Sequence, residues 1–138
     1  MTQRRMLALF VAPFLVTPLA AQVKATATPM LQSTVTVAGA PIVYPKTDSA
    51  EITALRLEIA PGGETGRHIH PNPTFVYVLE GAIDVEMEGG AVHSYKAGDC
   101  VLEVVNTWHN TKNKGTIPAK VLVVFVGAHG KPNLVRPS

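Results

Sequence analysis

The chain carries a single cysteine, Cys100, in 138 residues. No intramolecular disulfide is therefore available, and cohesion has to come from an apolar core or from association. Cys100 also lies far from the N-terminus, which excludes a lipid-anchored terminal cysteine; in its apolar stretch it reads as a small core residue. Helical periodicity is missing too. After residue 30 no stretch repeats its apolar residues every 3.6 positions between capping signals. Nor is there an excess of one charge: Lys and Arg number 12 against 10 Asp and Glu. Two of the arginines, Arg4 and Arg5, fall in a segment that reads as removable, which leaves the remainder close to neutral. With no basic block and no basic–aromatic interleaving, the composition argues against nucleic acid as a partner.

Arg4 and Arg5 precede an apolar stretch from Met6 to Val16, and small residues follow from Thr17 to Ala25. This is the order of a secretory signal, with cleavage after Ala21 or Ala25. The competing reading is an uncleaved membrane anchor. Against it, the apolar run falls short of the roughly 20 residues needed to span a bilayer and is broken by Pro13 and Pro18. The expected organisation is a signal peptide over residues 1–25, an exposed lead-in over residues 26–40 and one domain over residues 41–135. The expected location is periplasmic or secreted, with membrane contact only through the signal segment.

What is present is β pattern. Leu55, Leu57 and Ile59 alternate with Ala54, Arg56 and Glu58, and the run stops at Pro61-Gly62-Gly63. Thr74 to Leu79 is β-branched and aromatic, with Thr74, Val76 and Val78 on one face and Phe75, Tyr77 and Leu79 on the other. Ile83, Val85 and Met87 alternate with acidic residues, and Gly89-Gly90 makes a hairpin turn. Lys96-Ala97-Gly98-Asp99 turns the chain into Cys100 to Val105, and Val121 to Val126 is apolar enough for a strand buried on both faces. Many short strands separated by Gly and Pro turns make an all-β sandwich or barrel.

Three histidines stand out. His68 and His70 sit two residues apart, so on a strand they point the same way, and His109 follows thirty-nine residues after His70. Imidazoles suit Zn, Cu, Fe and Ni, and three protein ligands leave open positions of the catalytic kind. Without further context, such a pair in a strand is more often two surface imidazoles. Here the context is specific. Gly62-x5-His68-x-His70-x3-Thr74-x6-Gly81 resembles the first motif of the cupin superfamily, which carries Glu where this chain has Thr74. Gly98-x5-Val104-x-Asn106-x2-His109-x3-Asn113 resembles the second, which has Pro and Gly in place of Val104 and Asn106. Seven of ten defining positions match, and the resemblance covers roughly Pro41 to Val135.

The resemblance implies a single cupin β-barrel (a double-stranded β-helix of the jelly-roll type) with six to eight strands. It implies a divalent metal on His68, His70 and His109, with Fe(II) favoured and Zn, Mn, Ni or Cu as alternatives. Thr74 and Val76 are expected to line the pocket by alternation, and Trp108, next to His109, to wall it. A threonine hydroxyl is a poor ligand, so loss of the glutamate leaves a more electropositive centre with more open positions. Cupins with three histidines alone include dioxygenases acting on thiols, diketones and gentisate. The resulting expectation is a small exported dioxygenase-like protein acting on a small chelating molecule, with isomerase or lyase chemistry as a lesser option. The alternative is a periplasmic binding module without turnover.

Glu103, in an otherwise apolar strand, is the acidic candidate for a general acid or base; the competing reading turns it to solvent at the strand end. Asn113 is expected to brace a turn, Tyr77 to pack away from the metal, and His93 and His129 to lie at the surface. Arg56 competes with Leu55, Leu57 and Ile59 for the inward face. The resemblance also allows sheet-to-sheet pairing into a homodimer.

Overall fold

A computed structural model describes residues 25–138. The expected signal peptide over residues 1–25 therefore lies outside the described residues, save for its last position. Seven strands follow in order: β1 (Ala50–Ile59), β2 (Thr74–Glu80), β3 (Ala82–Met87), β4 (Val92–Lys96), β5 (Cys100–Leu102), β6 (His109–Lys112) and β7 (Ala119–Ala128). No helix occurs among the described residues, as the missing 3.6-residue period requires.

The strands form two antiparallel sheets, one ordered β1-β7-β2-β5 and the other β4-β3-β6. Isolated bridges from Glu64 to Lys112 and from His68 to His109 lay the segment before β2 alongside β6, extending the smaller sheet. The sheets close on a common core in which Val76, Val78, Val101, Val121, Val123 and Phe125 of the larger sheet meet Ile83 and Val85 of the smaller. This is the jelly-roll arrangement, and it shows how alternation sets the interior. Along β2, Thr74, Val76 and Val78 are buried while Phe75 and Tyr77 are only half-buried.

Alternation also decides the competition on β1. Leu57 is half-buried and Ile59 buried, whereas Arg56 is exposed, so the leucine face turns inward. The run Val121 to Val126 departs from the expectation of burial on both faces. β7 alternates strictly between buried and half-buried positions, because its inner face meets the core while its outer face has no second layer over it. β5 is shorter than the expected Cys100 to Val105 and ends at Leu102.

Two motif positions have direct backbone reasons. Gly81 adopts a φ of 74°, and a Cβ there would lie 2.8 Å from the Pro118 carbonyl oxygen, so only glycine fits this turn. Asn106, where the second motif has glycine, takes a φ of 54°. Asparagine is among the few residues that tolerate this left-handed region, so the turn survives the replacement.

Candidate metal centre

His68 and His70 lie on the irregular segment leading into β2, and His109 opens β6. The bridge between His68 and His109 is made by two backbone hydrogen bonds, 2.9 and 3.0 Å long, which place the two side chains side by side. Ile69 lies between the pair and bonds Val135 in both directions, at 2.9 and 3.0 Å, so the C-terminal segment straps the histidine segment down. Backbone pairing on both sides thus holds all three imidazoles in place. They are buried, at 3, 3 and 2% exposure, and their ligand atoms lie within 4.8 Å of one another.

Their protonation is set by what the outer nitrogens touch. Nδ1 of His68 donates to Gly66 O at 2.7 Å, Nδ1 of His70 to Asn133 O at 2.8 Å and Nδ1 of His109 to Thr107 O at 2.9 Å. A carbonyl can only accept, so Nδ1 carries the proton in each ring and Nε2 holds the free lone pair of the neutral form. Burial, together with the neighbouring His109 and His70, outweighs the hydrogen bond to Gly66 and lowers the pKa of His68 from 6.5 to about 4. Nε2 of His109 is buried with no hydrogen-bond partner among the described residues. Such an orphan costs about 1–3 kcal/mol unless something satisfies it. A buried lone pair beside two others, each oriented by a backbone carbonyl, is the donor set a divalent cation needs.

Glu103 joins this group. It lies one residue past β5, is 6% exposed, and points inward rather than to solvent. Its Oε2 lies 3.0 Å from His70 Nε2 and 3.9 Å from His109 Nε2. Burial pushes its pKa up, but the hydrogen bond and charge of His70, with smaller contributions from His109 and His68, bring it below the usual carboxylate value. The carboxyl group is thereby held as an anion.

His68, His70 and Glu103 line a cavity of about 350 Å³, whose walls also include Val76, Phe125 and Arg136. Thr74 is buried at 1% exposure but is not among the wall residues, and its hydroxyl donates to Asn72 O at 3.1 Å. Thr74 shares the buried face of β2 with Val76, but the backbone carbonyl two residues earlier holds its hydroxyl. Trp108 is likewise absent from this cavity. It lines a second depression with Arg67, whose guanidinium carbon lies 5.0 Å above the indole and whose Nη2 bonds Glu88 at 2.6 Å. The cation covers the ring, and His109 lines the same depression.

Other residues fall as follows. Asn113 is buried, donating to Ile59 O at 2.9 Å and Ile117 O at 2.8 Å and accepting from Gly115 N at 2.9 Å; it braces a turn. His129 is exposed and bonds Glu51 at 2.9 Å, and His93 is half-buried away from the cavity. Cys100 is half-buried rather than fully so, and burial with the charge of Asp99 raises its thiol pKa, making a poor nucleophile. Leu134 and Arg136 were missed by the sequence reading. They reach the cavity wall because the strap lies over its edge, and Arg136 Nη1 donates to Thr65 O at 2.9 Å.

Comparisons with known proteins agree with this geometry. A family model described as "Cupin domain" matches residues 55–125, just over half of the chain. Germin-like protein subfamily 2 member 1 of Arabidopsis thaliana is 35% identical over 89 residues, covering 61% of this chain and 41% of that protein. The chain thus spans about two fifths of the length of that relative. Among solved structures, the formate complex of Lactobacillus farciminis oxalate decarboxylase has a TM-score of 0.53 at 27% identity, covering 61% of this chain and 26% of that one. A structure of Bacillus subtilis oxalate decarboxylase, from work on its Mn(II) centres, has a TM-score of 0.54 at 25% identity, covering 61% of this chain and 23% of that one.

Proposed function

This chain belongs to the cupin family, and from that premise we propose that it holds one divalent metal ion on Nε2 of His68, His70 and His109. In this reading it presents the metal to a small substrate that chelates through oxygen or other heteroatom donors. The observation that carries the proposal is the orientation of the three rings. Each Nδ1 is committed to a backbone carbonyl, so in the neutral rings the three Nε2 atoms carry the lone pairs, buried and close together. The Mn(II) centres of one similar structure and the formate ligand of another support a hard divalent ion and a small carboxylate-like ligand. Fe(II) remains our favoured ion for oxygen chemistry, with Mn(II) next and Zn, Ni or Cu as alternatives.

A metal bound here would supply Lewis acidity toward oxygen donors and, as Fe(II), a redox partner for dioxygen. The chain supplies the setting. Val76 and Phe125 make one part of the wall apolar and limit water at the centre. Arg136, exposed at the cavity edge, is the cation available to an anionic substrate. The N-terminal segment is proposed to direct export. Loading the full chain with Fe(II) and following oxygen consumption with thiols, diketones, hydroxybenzoates and oxalate tests the reaction. Metal-dependent uptake with one class supports the enzyme. Saturable binding without uptake supports the alternative of a binding module without turnover.

A further inference from the structure

We propose that Glu103 is a fourth metal ligand, a carboxylate delivered from the strand beside the one on which the cupin motif carries its glutamate. The inference rests on the three-histidine metal reading and adds to it. Its first support is register. β2 and β5 pair Tyr77 with Cys100, Val76 with Val101 and Phe75 with Leu102. One step further sets Thr74 opposite Glu103, and Glu103 N donates to Thr74 O at 2.9 Å. Cross-strand partners point to the same face with Cβ atoms about 4.5–5.5 Å apart. A carboxylate on Glu103 therefore enters the space that one on Thr74 would reach. Thr74 itself does not compete, since its hydroxyl is bonded to Asn72 O.

The second support is the contact itself. His70 Nδ1 is the donor to Asn133 O, so Nε2 of His70 and Oε2 of Glu103 are two electron-pair donors only 3.0 Å apart. Two such atoms repel unless a proton or a metal cation lies between them. Ligands bound at about 2.1 Å to one ion, at roughly a right angle, stand about 3.0 Å apart. The third is charge. The ion-pair partners of Glu103 among the described residues are His70 and His109; no Lys or Arg approaches it. A buried anion whose only ion-pair partners are imidazoles needs compensation from a proton or cation that those imidazoles hold. As a ligand Glu103 is not the free acid or base considered from sequence. It turns three neutral nitrogens into a harder set with one negative charge, which suits Mn(II) or Fe(II) better than a soft ion.

The test is Mn(II) alone, titrated into the full chain and followed by EPR. Glu103→Gln keeps the shape and removes the charge. It should weaken Mn(II) binding by about a hundredfold, the upper end of what loss of a supporting group costs, and change the fine structure of bound Mn(II). Adding Thr74→Glu to that variant should recover most of the affinity by returning the carboxylate to the neighbouring strand. If Glu103→Gln does not fold, Glu103→Asp carries the test through the same affinity and EPR shifts in smaller measure. Affinity and spectrum like the parent's, in whichever variant folds, overturn the assignment. His109→Ala separates the two readings. Loss of Mn(II) in His109→Ala with none in Glu103→Gln removes only Glu103, whereas a parent that binds no Mn(II), or a His109→Ala that binds it equally, removes both.

Discussion

The barrel interior has two regions that are equally buried and chemically opposite. In one, Val78, Ile83, Val85, Val101 and Val121 pack against one another, each at 4% exposure or less. In the other, His68, His70, His109 and Glu103 are at 6% or less, with one imidazole nitrogen unsatisfied. Burial lowers the free energy of the first group, each large apolar side chain contributing about 1.5–3 kcal/mol. It raises that of the second, whose polar atoms lose water. The difference teaches where function lies: one region holds the barrel together, and the other is kept at the barrel's expense for what it binds.

The comparison breaks most sharply at the histidines. His68→Ala and His109→Ala should abolish stoichiometric metal while leaving the metal-free melting temperature unchanged or raised; a collapse of the metal-free fold would place the histidines in the stabilising region. The converse substitution is Ile83→Ala, at 2% exposure in the core. It should cost about 2–5 kcal/mol in urea unfolding and leave Mn(II) affinity nearly unchanged once the protein is folded.

Removing residues 132–138 sharpens the boundary between the regions. The strap supplies the Asn133 carbonyl to His70 and pairs Val135 with Ile69. Its loss should weaken metal binding about 10–100-fold, as for other groups that orient ligands, and calorimetric titration reads this. At Gly81 the expected loss is confined to stability. Gly81→Ala forces an alanine to a φ of 74° against the Pro118 carbonyl and should cost about 2 kcal/mol, with Mn(II) affinity intact.

A pH dependence of the metal-free protein follows from the same burial. Burial lowers the pKa of His68 from 6.5 to about 4. Between those values the unfolded chain takes up a proton that the folded chain does not, so stability falls as pH drops from about 6.5 to about 4. His68→Gln should flatten that slope in melting curves. An unchanged slope would assign it to other groups.

Much of this was legible in the sequence. Alternation located β1, β2 and β3, because one face of each meets the core. The histidine and glycine spacings located the three histidines that the fold brings together. Glu103 was harder. The local pattern left it between cavity and solvent, and only its pairing with Thr74 across the sheet turns it inward. Trp108 lines a depression together with His109 and Arg67, and Arg67, its cover, lies 41 positions earlier, beyond any local pattern. The strap was invisible, since Leu134 to Arg136 bond residues near position 65 and carry no period of their own. Long-range pairing accounts for each of these misses.

A Mn(II) titration of the full chain beside its His68→Ala variant bears on the three buried imidazoles without intermediaries. One ion bound per parent chain and none by the variant is the predicted result. Binding of none by the parent, or of one ion by both, would contradict a metal centre at His68, His70 and His109.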